Sequence, residues 1–216
     1  MNHKNRRSHA ADVKHKRATQ ILKMLDRLFP RAQMVLNYSN QFQMLVAVEL
    51  SAQCTDKKVN EVTATLFKKY RALSDYLHAD RKEFERAIKP TGFYRNKAKN
   101  ILAAARVVKK KFKGKLPKTM EEMVSIPGVG RKTANILLGN AYGVVEGIAV
   151  DTHVWRLARV LKLSSHDNPE KIEQDLMQLF PKRRWFKSTY QLIEYGRAYC
   201  TARKHNHAAC PLGSIK

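Results

Sequence analysis

The sequence predicts an all-α fold of two helical domains. Apolar residues recur at i, i+3, i+4 and i+7 through most of the chain, helix start and stop residues punctuate those stretches, and no alternating strand pattern, internal repeat or low-complexity tract interrupts them.

The elements follow in order. Residues 1–13 carry Lys4, Arg6 and Arg7 with few apolar partners and are expected to form a mobile basic arm. From Lys14, the stripe Ile21, Leu25, Leu28 and Phe29 makes a helix that Pro30 stops. Phe42 to Leu50 is nearly all apolar, so that helix is expected to be buried on most sides, with Glu49 as an interruption at an edge or in a pair. A turn at Ser51 to Asp56 follows; either Thr55 or Asp56 can cap the next helix, which runs to about Tyr70. Leu73 to Ile88 reads as two short helices with Asp80 as a cap between them. Lys97 to Lys111 is amphipathic through Ile101, Ala104, Ala105 and Val108. Met120 to Val124 is a short helix, and Ala134, Leu137, Leu138, Ala141 and Tyr142 stripe another. Val154, Leu157, Ala158 and Leu161 stripe the helix after Asp151, which sits where an N-cap belongs. Asn168-Pro169 is a cap followed by an N1 proline. Ile172, Leu176, Leu179 and Phe180 continue that helix, and a last one spans about Ser188 to Tyr199.

The chain of 216 residues has 42 Lys+Arg against 18 Asp+Glu, a formal charge of +24, and 44% hydrophobic residues. That length supports a real core, and that charge points to a polyanion, with nucleic acid ahead of an anionic membrane. The basic arm is then either plain disorder or a DNA contact. Three cysteines, Cys54, Cys200 and Cys210, argue against a disulfide framework and fit a reducing compartment. No apolar run reaches membrane-spanning length, and the N-terminus lacks a signal-type core, so a cytoplasmic, nucleoid-associated location is expected.

The most informative stretch is Ile126-Pro127-Gly128-Val129-Gly130-Arg131-Lys132-Thr133. It reads as helix, tight glycine turn, helix. Gly128 and Gly130 permit positive φ and leave N–H groups uncovered beside the positive end of the second helix, an arrangement that suits a phosphate. Lys132 lies on the first turn, off the apolar stripe. For a lone lysine a solvated surface role is the ordinary reading. Against that, a helix N-terminus disfavours the ammonium form and frees the amine as a nucleophile, with Ile136 as an apolar wall one turn on. Asp151 has a capping role available without any chemistry. Pro90-Thr91-Gly92-Phe93-Tyr94 places two aromatics after a glycine, for stacking on bases or for core packing.

Pro-Gly-Val-Gly-Arg-Lys-Thr-Ala-Asn from Pro127, Ile-Ala-Val-Asp-Thr-His-Val from Ile148, Leu50-Ser51-Ala52-Gln53-Cys54-Thr55-Asp56 and Gly92-Phe93-Tyr94-Arg95-Asn96-Lys97-Ala98 together resemble the endonuclease III family of helix-hairpin-helix DNA glycosylases. The likeness runs from about Leu36 to about Cys210. It implies a basic arm and N-terminal helix (1–33) that pack with the C-terminal domain (145–216), a six-helix domain with the hairpin (34–144), and DNA held in the cleft between the two domains. It implies Lys132 as nucleophile and Asp151 as its carboxylate partner. Gln53 would enter the gap left by a flipped nucleotide, Phe93 would be an apolar wedge, and Gly128, Val129, Gly130, Arg131 and His153 would be DNA contacts. The implied partner is double-stranded DNA carrying damaged bases, oxidised pyrimidines foremost, or abasic sites, bound by a monomer with no membrane association. The family has an apolar residue where Glu49 stands.

The tail departs from the family. Its C-x6-C-x2-C-x5-C cluster pattern is met by Cys200 and Cys210, but His207 and Lys216 occupy the second and fourth places. A [4Fe–4S] centre normally takes four thiolates, and Cys200, His207 and Cys210 leave a zinc site one ligand short. The expectation is no metal and no cofactor, with the loop kept as a basic DNA-contacting segment through Arg203 and Lys204. Two rival functions remain: a non-catalytic helix-hairpin-helix DNA-binding protein, which would need neither Lys132 nor Asp151, and a related glycosylase for mismatched or alkylated purines, which the lysine at 132 disfavours.

Overall fold

The computed structural model describes the backbone of residues 3–215 and the side chains of residues 12–215. Among the described residues the regular structure is helical throughout. The α-helices are α1 (His3–Leu28), α2 (Gln41–Leu50), α3 (Asp56–Lys69), α4 (Leu73–Leu77), α5 (Arg81–Ile88), α6 (Tyr94–Phe112), α7 (Met120–Val124), α8 (Arg131–Tyr142), α9 (Thr152–Val160), α10 (Pro169–Leu179) and α11 (Trp185–Ala198). None is long and apolar enough to cross a membrane.

The chain divides into two compact units. One is Val35–Val144; the other joins Met1–Met34 to Val145–Lys216.

Within Val35–Val144, α2 is the central element and packs against α3, α6 and α8. Every residue from Phe42 to Leu50 is buried, which is why its apolar character runs all the way round. Asn40 starts the helix, its side chain accepting from the Gln43 N–H. An aromatic cluster of Phe42, Tyr70, Tyr76 and Phe84 fills the space by α3, α4 and α5. Its ring centroids lie 4.9 to 6.0 Å apart in edge-on or tilted pairs, the separation such pairs prefer.

In the other unit, Ile21, Leu25, Val154, Leu157, Ile172, Leu176, Leu192 and Tyr195 share one core. The Arg184 guanidinium donates to both Asp26 oxygens at 2.7 and 2.8 Å, and the Gln191 amide donates to Asp26 Oδ1 and the Phe29 carbonyl. This polar clasp fastens α1 to the start of α11 at its solvent edge.

Helix α1 corrects one expectation. It begins at His3, where the charge run predicts a mobile arm to Val13; Met1 and Asn2 lie outside the described residues. From His3 to Arg17 there is no glycine or proline, and the Lys, Arg and Ala residues there lose little on entering a helix.

Candidate active site

Thr119 caps α7, and Ser125 closes it. The Val129 N–H then donates back to the Ile126 carbonyl at 3.0 Å, tightening the turn into α8. Gly128 supplies the left-handed conformation this needs, at φ +84°. Gly130 does not share it: at φ −85° and ψ 175° it is the extended N-cap of α8, as an N-cap normally is. Of the two glycines that permit positive φ, only Gly128 uses it. Val129 is buried and anchors the turn from below, while Gly128, Gly130, Arg131 and Lys132 are exposed.

The start of α8 differs from those of α7 and α9 on either side of it, and resembles those of α6 and α11, in having no side-chain cap. Side chains cap α2, α3, α5, α7, α9 and α10 through Asn40, Thr55, Asp80, Thr119, Asp151 and Asn168. With a glycine at N-cap, α8 receives no side-chain cap. No side chain occupies the N-terminus of α8, the end of a helix that suits an anion such as phosphate.

Beneath the turn lies Glu49, on the last turn of α2 and 8% exposed. A Cβ placed on Gly128 would stand 2.8 Å from both Glu49 carboxylate oxygens, so any side chain there would have to displace the end of Glu49 in addition to adopting the left-handed φ. Glu49 Oε1 has no hydrogen-bond partner among the described residues. Burial pushes the carboxyl up to about 7, against the opposing pull of the Lys97 and Lys132 charges. The sequence left Glu49 unplaced; it sits under the hairpin, within the electrostatic reach of Lys132.

Lys97, from α6, is a buried cation beside the candidate site that the sequence reading did not single out. Its ammonium donates to the Leu50 carbonyl at 2.8 Å and to the Thr91 carbonyl at 2.7 Å. Burial lowers its pKa, with Cys54 and Glu49 opposing. Leu50 precedes the Ser51–Asp56 turn and Thr91 precedes Gly92-Phe93, so one side chain ties together the two turns nominated to enter DNA. The residues at their tips are both strained. Gln53 has φ 52° and Phe93 has φ 47°, left-handed values that cost a non-glycine residue roughly 1–3 kcal/mol. Both are exposed, Phe93 at 62%. An exposed phenylalanine held in a strained conformation is not packing a core.

In the other unit, Asp151 caps α9, its Oδ1 accepting from the Val154 N–H at 2.8 Å. His153 is on the first turn, half-buried, and packed closely on α11: a Cβ on Gly196 would stand 2.7 Å from His153 Nδ1.

The tail brings together Cys200, His205, His207 and Cys210, with one ligand atom from each lying within 4.8 Å of all the others. Cys200 Sγ is 3.3 Å from His207 Nδ1, and Cys210 Sγ is 3.3 Å from His205 Nε2.

A model of the HhH-GPD superfamily, described as base excision DNA repair protein, matches residues 46–182. Endonuclease III of Synechocystis sp. is 46% identical over 202 residues, 94% of this chain and 92% of the relative. The chain belongs to the endonuclease III family. Two solved structures are close in fold. A trapped endonuclease III–DNA covalent intermediate is 41% identical with a TM-score of 0.85, covering 90% of this chain and 93% of that one. A non-covalent endonuclease III–DNA complex is 39% identical with a TM-score of 0.88, covering 93% and 94%.

These findings overturn the expectation that the tail holds no cofactor. Endonuclease III relatives usually carry an iron–sulfur cluster, and the loop here brings together four side chains positioned to bind a metal. The sequence count of Cys200, His207 and Cys210 came one ligand short because the family's spacing was imposed on it. His205, which that pattern does not include, completes the four, and Lys216 lies outside the described residues. Two thiolates and two imidazoles do not match the four thiolates a [4Fe–4S] cluster normally takes.

Proposed function

We propose that this endonuclease III family member is a DNA N-glycosylase with abasic-site lyase activity, working in base excision repair on damaged, chiefly oxidised, pyrimidines. The observation that carries the reading is Lys132: an exposed primary amine on the first turn of a helix whose N-terminus is left uncapped by Gly130. The hairpin seats a phosphate of double-stranded DNA, and the damaged nucleotide leaves the stack. Gln53 and Phe93, tied through Lys97, fill and hold open the gap.

The Lys132 amine, in its neutral form, forms a bond to the sugar C1′ as the C1′–base bond breaks, and the base departs with a proton. Ring opening gives a Schiff base. Loss of a C2′ proton then expels the 3′ phosphate by β-elimination, and hydrolysis of the Schiff base returns the amine. The Asp151 carboxylate stabilises positive charge developing on the sugar and assists proton movement, in addition to capping α9. The relative trapped covalently on DNA is consistent with this class of chemistry. A pure DNA-binding role would use the hairpin and the charge but leave Lys132 without work. We place the protein in the cytoplasm, acting as a monomer.

The test is borohydride trapping on a thymine glycol duplex. The parent protein is expected to form a covalent adduct. Lys132→Gln is expected to lose it while its affinity for the same duplex stays within about threefold. Full trapping by Lys132→Gln would remove the lysine from the mechanism, and absence of trapping by the parent on thymine glycol and abasic duplexes alike would overturn the lyase assignment.

A further inference from the structure

We infer that Cys200, His205, His207 and Cys210 bind one zinc-class divalent ion in a closed tetrahedral site that fastens the C-terminal loop. The ligand atoms converge as such a site demands. Tetrahedral bonds of about 2.3 Å to sulfur and 2.0–2.1 Å to nitrogen place neighbouring S and N atoms about 3.6 Å apart; the two Cys–His pairs stand at 3.3 Å, so small movements outward admit the ion. All four atoms lie within 4.8 Å of one another, which suits a single centre. A two-iron cluster with two cysteines and two histidines places the pairs on different irons at opposite ends.

The donors are prepared for metal as well as close. His205 Nδ1 is 2.7 Å from the Arg203 carbonyl. A carbonyl only accepts, so Nδ1 carries the proton and Nε2 presents its lone pair toward Cys210 Sγ. A backbone carbonyl fixing the far nitrogen of a histidine is the usual support for a metal ligand. Both cysteines are buried and neither is in a disulfide. Binding removes the two thiol protons as two Zn–S bonds form, and the two thiolates neutralise the ion, with no change of oxidation state.

The loop around the site is tight. The Gly213 N–H donates to the Cys210 carbonyl at 2.8 Å, and a Cβ there would fall 1.9 Å from the His207 carbonyl oxygen. The Leu212 N–H donates to the Tyr195 hydroxyl at 3.0 Å, binding the loop to α11. Four protein ligands leave no open position, so the ion is structural. It would hold Arg203 and Lys204 on an ordered loop.

The experiment is elemental and sulfide analysis of the full-length protein, expressed with iron and zinc both supplied, followed by Co(II) titration of chelator-stripped protein. About one zinc per chain, no acid-labile sulfide, and the visible bands of tetrahedral Co(II) with thiolate charge transfer are expected. Cys210→Ser tests a buried ligand. His207→Ala tests an exposed one, whose loss leaves the helical core alone; its helical circular dichroism should match the parent while zinc retention against a chelator falls at least tenfold. Iron with stoichiometric sulfide overturns the proposal, as does a protein that binds no metal, or zinc retained equally by His207→Ala and Cys210→Ser.

Discussion

Glu49 gives this protein a pH-dependent stability that its position dictates. In the folded chain the carboxyl is 8% exposed and ionises only near pH 7, against an ordinary value of 4.5. The unfolded chain ionises first. Between pH 4.5 and about 7 the folded state therefore binds the extra proton, and stability falls as pH rises. Below 4.5 both states are protonated and the cost is absent; above about 7 both are ionised and it is fully present. Each pH unit of displacement is worth about 1.4 kcal/mol, so the whole window is worth about 3 kcal/mol. Glu49→Gln keeps the shape and removes the titration, and Lys97 keeps its two carbonyl acceptors. Urea unfolding of parent and variant from pH 4 to pH 8 should show the variant gaining about 3 kcal/mol relative to the parent across the window. Comparing the pair cancels the other titrating groups. Parallel curves, with a difference constant to within about 0.5 kcal/mol, would refute the assignment of an ionisable buried carboxyl at this position. The Lys132 charge partly offsets the burial cost of Glu49, so Lys132→Gln should extend the fall in the parent's stability to higher pH.

Gly128→Ala combines a left-handed backbone with a 2.8 Å contact to the Glu49 carboxylate, and should cost about 2 kcal/mol or more by denaturant midpoint. Gly130→Ser meets nothing within 4 Å; it should keep or raise stability while weakening duplex binding several-fold, because its hydroxyl would take the N–H groups meant for phosphate. Asp151→Asn preserves a good cap and should change stability by well under about 1 kcal/mol, yet slow single-turnover base release about 100-fold or more if the carboxylate stabilises the sugar cation; an unchanged rate would reduce Asp151 to its cap. Gly196→Ala, normally worth up to about 1 kcal/mol to a helix, should destabilise here because the methyl meets His153 Nδ1 at 2.7 Å; recovery in a His153→Ala background, read as a double-mutant coupling, checks that cause.

The helices were legible because their causes are local. Asp80, Asp151 and Asn168 are caps in the structure as in the sequence, and the stripes through Ile101 or Val154 need only the period of 3.6. Boundaries moved where no cap residue marks them: α6 starts at Tyr94 rather than Lys97, and α11 at Trp185 rather than Ser188. The former begins on a left-handed phenylalanine and the latter runs out of the turn at Lys182–Arg184, and neither leaves a compositional trace.

What stayed hidden depends on contacts between distant residues. Lys97 looks like one more cation in a chain with 42 of them; only the approach of the Leu50 and Thr91 carbonyls makes it a clamp. Glu49 reads as a flaw in an apolar helix until Gly128 is seen against it. His205 was passed over because a family spacing says where ligands belong along the chain, whereas a metal site requires only where their atoms meet. The loop from Cys200 to Cys210 has no helical period to constrain it, so histidines two apart can turn Nε2 of one and Nδ1 of the other toward the same pair of sulfurs. A degenerate motif is thus weak evidence for a lost function, since the fold can recruit a neighbouring donor into the same place.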